Sequence, residues 1–337
     1  MTFKYILYFA VFTMFIFLNG CKDSSVTPSG NTNIKLIGSY DTPGSANGVS
    51  VYQADNKTYA LVADNTFGLE IINTTTPSAP ASVSNYNPGG TAIDVATASV
   101  NGSQYAFISN NSSGYVIVNI NNPQVPVLDT LLTFSNDRIL TSYIDSINKI
   151  AFIGSFNGNV YIYSLANMPA VNILSTYSNS LDNILGMQAS NGILYLASAT
   201  TGLEIVGVSN PALPQHLRGL NLPGSSNGVK INGNYVYMAN GAGGIITIYV
   251  ADFLNPAVKS FYNPSGIVYY GLTFINFRLY TASGINGVDG ISVASPSSPG
   301  EIGFYHTLGS SFNITYNTGY IYVADGSDGL IILQPTN

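Results

Sequence analysis

One pattern of fifteen residues returns seven times along the chain, and such a repeat restricts the fold more than any composition does. The copies read YALVADNTFGLEIIN from Tyr59, YAFISNNSSGYVIVN from Tyr105, IAFIGSFNGNVYIYS from Ile150, ILYLASATTGLEIVG from Ile193, YVYMANGAGGIITIY from Tyr235, RLYTASGINGVDGIS from Arg278 and YIYVADGSDGLIILQ from Tyr320. Their starts lie 46, 45, 43, 42, 43 and 42 residues apart. Each copy is a pair of strands around a tight turn. The first six are followed by a proline-bearing turn, a third strand-like stretch ending in Tyr86, Phe134, Tyr177, Leu220, Tyr262 or Tyr305, and a Gly/Ser/Asn loop. A further strand leads into the next copy. Four short strands per repeat cannot bury both sheet faces alone, so the repeats must stack, and the expectation is an all-β, seven-bladed β-propeller of four-stranded blades.

The ends of the chain predict how the ring closes. The last copy stops at Gln334-Pro335-Thr336-Asn337, without the outer strand that follows the other six, whereas the first copy is preceded by a spare strand over Ile34–Tyr40. Its ending, GSYDTPG, resembles SNYNPGG at 84–90. The N-terminal strand is therefore expected to complete the last blade and remove an exposed edge. The domain is assigned to 34–337.

Period-two alternation assigns the innermost strands: a polar residue flanked by apolar ones points into a central channel. This places Ser50, Asp94, Thr141, Gln188, Lys230, Thr273 and Thr315 in one ring, with Asp94 and Lys230 its only charges. A second ring ends the second strands: Asp64, Asn110, Ser155, Ser198, Asn240, Ser283 and Asp325. These residues face the inter-blade loops and are the expected binding surface, although the same residue types also suit tight turns.

The third strands LEIIN (69–73), YVIVN (115–119) and LEIVG (203–207), each running into a proline turn, resemble the LVIVD repeat of bacterial envelope propellers. The motif's last position departs from Asp, carrying Asn73, Asn119, Ser164 and Gly207. The resemblance implies a propeller outside the cytoplasm and no single chemistry.

Residues 1–20 form a secretory leader: Lys4, an apolar run over 5–18, and Gly20 before Cys21. The run is shorter than the roughly 20 residues a membrane-spanning helix needs. Leu18-Asn19-Gly20-Cys21 resembles the lipobox of bacterial lipoproteins, in which the cysteine is acylated, so Cys21 is the expected lipid anchor and residues 21–33 its flexible tether. Lys22-Asp23 partly resembles the Lys-plus-acid signal that directs lipoproteins to the cell surface. The expected location is the cell envelope, on the outer membrane, with the propeller a monomer.

Charge and residue types exclude several functions. A net charge of −6 with only ten Lys and Arg leaves no basic patch for nucleic acid. Two distant histidines and one cysteine give no zinc-ligand spacing. Arg138, Arg218 and Arg278 fall at different places in the repeat, so no arginine cluster forms, and no Ser-His-Asp set can be placed around His216 or His306. Glu70 and Glu204 stand at equivalent positions in different blades and are expected to face solvent. The reading is a non-catalytic scaffold for an envelope protein or glycan, without cofactor. The alternative is a calcium-dependent hydrolase, lactonase or lyase at the channel mouth, using Asp64, Asp94 and Asp325.

Overall fold

The computed structural model describes residues 33–336. The leader, Cys21 and the tether apart from Asn33 lie outside the described residues. Seven four-stranded antiparallel sheets make the ring; in six of them the strands run from inner to outer in chain order. The seventh takes Asn313–Asn317, Tyr320–Ala324 and Leu330–Pro335 from the C-terminal end and Ile34–Tyr40 from the N-terminal end. Ile34 pairs with Pro335 and Tyr40 with Leu330, so the expected closure holds. Ala46 and Gly326 add a bridge of 2.9 and 3.0 Å from the seventh blade to the first.

The second and third strands read as nearly continuous apolar runs because both faces of each sheet are covered by neighbouring blades. Ala60, Leu61, Val62 and Ala63 are all fully buried. The buried apolar residues fall into clusters at the blade interfaces, such as Leu61, Leu69 and Ile71 against Ala106, Ile108 and Val116 between the first two blades. A register shift interrupts the pairing of every outer strand, between Ile71 and Ile72 in the first blade and Ile205 and Val206 in the fourth. Such bulges twist an exposed edge away from its neighbours.

Three of the four named departures at the end of the repeat motif keep its local role, whereas Gly207 has no side chain to do so. Asn73 Oδ1 accepts the Thr75 N–H at 2.9 Å, Asn119 Oδ1 accepts that of Asn121 at 3.0 Å, and Ser164 Oγ accepts that of Ala166 at 3.3 Å. The position starts the turn into the outer strand, and an amide or hydroxyl oxygen does this as well as a carboxylate.

Two expectations need correction. Glu70 and Glu204 do not face solvent: they are 3% and 4% exposed, because the third strand is covered on both faces and alternation has no wet side there. The channel residues do not form one ring. Asp94 pairs with Ser109 and is therefore the counterpart of Gly48, which pairs with Ala63, and of Asn313, which pairs with Ala324. Ser50, Gln188, Lys230, Thr273 and Thr315 pair with Leu61, Tyr195, Tyr237, Tyr280 and Tyr322 and form the next layer. A displacement of two residues keeps a side chain on the same face, which is why the polar pattern alone merged the layers.

Candidate functional site

Every strand end in the second expected ring is buried. Ser283 is 1% exposed and Asp64, Asn110, Ser155, Ser198, Asn240 and Asp325 are 0% exposed, so the ring is not an accessible contact surface. In every blade but the sixth it fastens the entering loop. Asp64 Oδ1 accepts the Thr42 hydroxyl and Oδ2 the Gly44 N–H, both at 2.7 Å. Asp325 repeats this in the seventh blade, accepting the hydroxyls of Thr307 (2.7 Å) and Ser311 and the Gly309 N–H (3.1 Å). Asn110 and Asn240 donate their amides to the carbonyls of Gly89 and Pro223. In the third and fourth blades a serine ends the strand: Ser155 bonds the carboxylate of Asp137 in the entering loop, and the Ser198 hydroxyl accepts the Asp182 N–H at 3.2 Å and donates to the Asp182 carbonyl at 3.1 Å. In the sixth, the Ser283 hydroxyl turns to Asp289 Oδ2 at 3.1 Å on the third strand.

Burial pushes the Asp325 carboxyl up to about 6, its hydrogen bonds offsetting only part of the desolvation. Asp64 is raised for the same reason. Burial would also raise Asp137, but bonds from Ser155, Asn159, Tyr161 and the Arg138 N–H bring it below the usual carboxylate range.

The channel encloses 640 Å³ and is lined by Ser50, Asp94, Thr141, Lys230 and Thr315, among others. Gln188 and Thr273 are not part of that lining; Gln188 Oε1 accepts the Ile231 N–H at 2.9 Å and Thr273 is 7% exposed. Asp94 accepts the Thr141 hydroxyl and the Val95 N–H, both at 2.9 Å, and the Asn313 amide at 3.4 Å. Its pKa is raised by burial, against these bonds and the pull of Lys230, while burial pushes the Lys230 ammonium down. Among the described residues no three His, Cys, Asp or Glu side chains group as metal ligands. Asp64, Asp94 and Asp325 are therefore not grouped with one another.

A site the sequence did not disclose lies on the fourth blade. Glu204 Oε1 accepts three donors: the hydroxyl of Tyr177, Asn179 Nδ2 at 2.9 Å and His216 Nδ1 at 2.6 Å. Burial pushes the Tyr177 phenol up, reinforced by the Glu204 carboxylate, so it remains a donor. A groove of 440 Å³ opens over this cluster, bordered by Ser180, Thr201, Arg218 and Gly219.

The LVIVD repeat matches residues 43–88, 89–131, 187–217, 223–263 and 309–334, more than half of the chain. The chain belongs to the LVIVD repeat family. The stretches between those matches hold most of the third and sixth blades, where the third strands read VYIYS and VDGIS. No curated protein matches this LVIVD repeat chain. Among solved structures it is similar to the crystal structure of Chaetomium thermophilum Raptor, with a TM-score of 0.71 at 10% identity over 90% of this chain. The match spans 29% of the Raptor chain. The computationally designed Ika8 protein gives 0.60 at 8% identity, covering 90% of this chain and 96% of that one. BamB from Moraxella catarrhalis gives 0.60 at 13% identity, covering 88% and 85%. Identities this low establish a shared fold.

Proposed function

We propose that this LVIVD repeat protein is a cell-envelope lipoprotein acting as a non-catalytic scaffold, which presents its loop face to a protein or glycan partner. The observation that carries this reading is the direction of the N-terminal strand. Ile34 pairs with Pro335 at the face opposite the inter-blade loops, and the strand then rises to Tyr40 at the loop face. An anchor attached through Cys21 and the tether would hold the opposite face toward the membrane and turn the loop face outward.

The latches beneath that face favour binding without large rearrangement, since the entering loops of six blades are already fixed by hydrogen bonds to the strand ends. Above them stand exposed apolar side chains: Phe67 at 47%, Phe156 at 40%, Ile285 at 81% and Leu308 at 69%. The Arg138 guanidinium lies 3.6 Å over the Phe156 ring, which adds a polar rim to an apolar contact. The test is recovery of partners from intact envelopes by the wild type and by a variant with Phe67→Ser, Phe156→Ser and Ile285→Ser. Loss of a partner in the variant is expected; equal recovery would refute the loop face as the site.

A further inference from the structure

The hairpins joining the first and second strands turn at the face opposite the inter-blade loops, and the repeat allows them to be compared position by position. In the first, second, fourth and seventh blades the second residue of a two-residue turn is Asn56, Gly102, Gly192 and Gly319, each at positive φ. Such turns select residues that tolerate the left-handed region. In the sixth blade the same position holds Phe277 at a φ of 62°, a conformation disfavoured for a bulky residue, and the side chain is 61% exposed. The third blade has a longer hairpin between Asp145 and Ile150, and Ile147 at its tip is 89% exposed. Exposure this high means that the core holds neither tip.

The turns that follow the third strands reach the same face, because the first residue beyond the strand bonds back to the hairpin. The Leu165 N–H donates to the Lys149 carbonyl at 2.8 Å, and the Val293 N–H to that of Phe277 at 2.9 Å. On these turns Val125, Leu213 and Leu254 are each at least half exposed. The second to sixth blades thus each present one protruding apolar side chain on one face: Val125, Ile147, Leu213, Leu254 and Phe277. The chain enters the ring on that face too, at the seventh blade, where the Asn33 carbonyl accepts the Thr336 N–H at 2.9 Å. Cys21 precedes Asn33 by twelve positions, a reach of at most about 40 Å. Charge separates the two faces. Here Lys35, Lys57, Lys149 and Arg278 offset Asp55, Asp145, Asp252 and Glu301, whereas the loop face sets Asp41, Asp137, Asp182 and Asp328 against Arg138. An anionic lipid surface repels the acidic face and not the balanced one.

We propose that this fringe docks on the lipid bilayer, its apolar side chains entering the boundary between headgroups and acyl chains. A protein partner would have to match tips spread over five blades, whereas a bilayer offers the same apolar layer to all of them. The anchor retains the chain, and the fringe fixes which face meets the membrane. The inference rests on the lipoprotein reading and adds a second membrane contact to it.

The chain contains no tryptophan and one cysteine, so a single fluorophore and a single attachment point can be placed without background. The experiment couples the mature chain, which begins at Cys21, through that thiol to a maleimide lipid in vesicles of phosphatidylethanolamine and phosphatidylglycerol. Each sample carries one probe: Ile147→Trp, Phe277→Trp or, on the loop face, Ile285→Trp. Bromine on the acyl chains quenches only an indole that reaches them. Brominated vesicles should lower the emission from positions 147 and 277 at least two-fold and leave that from 285 unchanged. Adding Val125→Ser, Leu213→Ser and Leu254→Ser should at least halve the quenching at both tips with an unaltered melting temperature, since all three are exposed turn residues. Unquenched emission at 147 and 277, equal quenching at 285, or quenching undiminished by the triple substitution would overturn the proposal. Coupling through the thiol makes these outcomes independent of acylation in the cell, so failure of the lipoprotein reading is seen separately, by palmitate labelling of the wild type and Cys21→Ser.

Discussion

Asp325 offers the sharpest test of the idea that the second ring is structural. Its carboxyl is 0% exposed and its pKa is raised by burial from 3.8 to about 6. A group raised in the folded state binds its proton more tightly there than in the unfolded chain. Its contribution is therefore largest below the unfolded pKa and is lost as pH rises through the folded value. A shift of about 2 units at about 1.4 kcal/mol each is worth about 3 kcal/mol. The perturbation is Asp325→Asn, which removes the titration while keeping the size of the side chain. The assay is urea unfolding at intervals between pH 4 and 8, plotted as wild-type stability minus variant stability. Asp64, Asp94 and Asp289 are raised by burial too, and the difference cancels them. Because pH 4 already lies just above the unfolded pKa, the curve should fall by about 2 kcal/mol between pH 4 and 7. A flat curve, or one that rises with pH, would mean that Thr307, Ser311 and the Gly309 N–H hold the carboxylate ionised and that burial does not dominate.

Three further outcomes follow from the same structure. Deleting residues 34–40 should lower the melting temperature of the whole ring, because it exposes the edge of Leu330–Pro335 and removes Ile34 from its apolar cluster; an unchanged melting temperature would refute closure there. A calcium chelator should leave the melting temperature unchanged, since the Asp64 and Asp325 oxygens already accept hydroxyls and backbone N–H groups; a fall of several degrees would restore the calcium reading. Labelled palmitate should enter the wild-type chain and not Cys21→Ser, and label retained by the variant would contradict the anchor.

The ring was legible from the sequence because its determinants are local and repeated: the fifteen-residue pattern, the prolines after it, and a terminal copy lacking the outer strand that Ile34–Tyr40 supplies. The site was less legible because its determinants are relations between strands. Alternation could not reveal that Glu70 and Glu204 are enclosed, since it assumes one wet face and the third strand has none. Nor could it separate Asp94 from the layer of Ser50 and Lys230, because a shift of two keeps the face and changes only the depth. The ring of Asp64, Asn110, Asn240 and Asp325 was located on the correct strand ends. What each side chain reaches, an entering loop some twenty residues earlier, becomes visible only when the turn is folded. For the groove, a signal was present in the repeats: aligning the outer strands of the first and fourth blades sets Asn85 against Gly219, a lost donor beside a retained acid.

The central claim, that a partner meets the loop face, is tested most directly by placing a photo-crosslinking residue at Phe67 on that face, or at Phe277 on the opposite one, in intact cells. Both positions are exposed, at 47% and 61%, so neither is favoured by access alone. The account predicts a discrete crosslinked species from position 67 and none from position 277. Crosslinking from 277 alone, or equally from both, would contradict it.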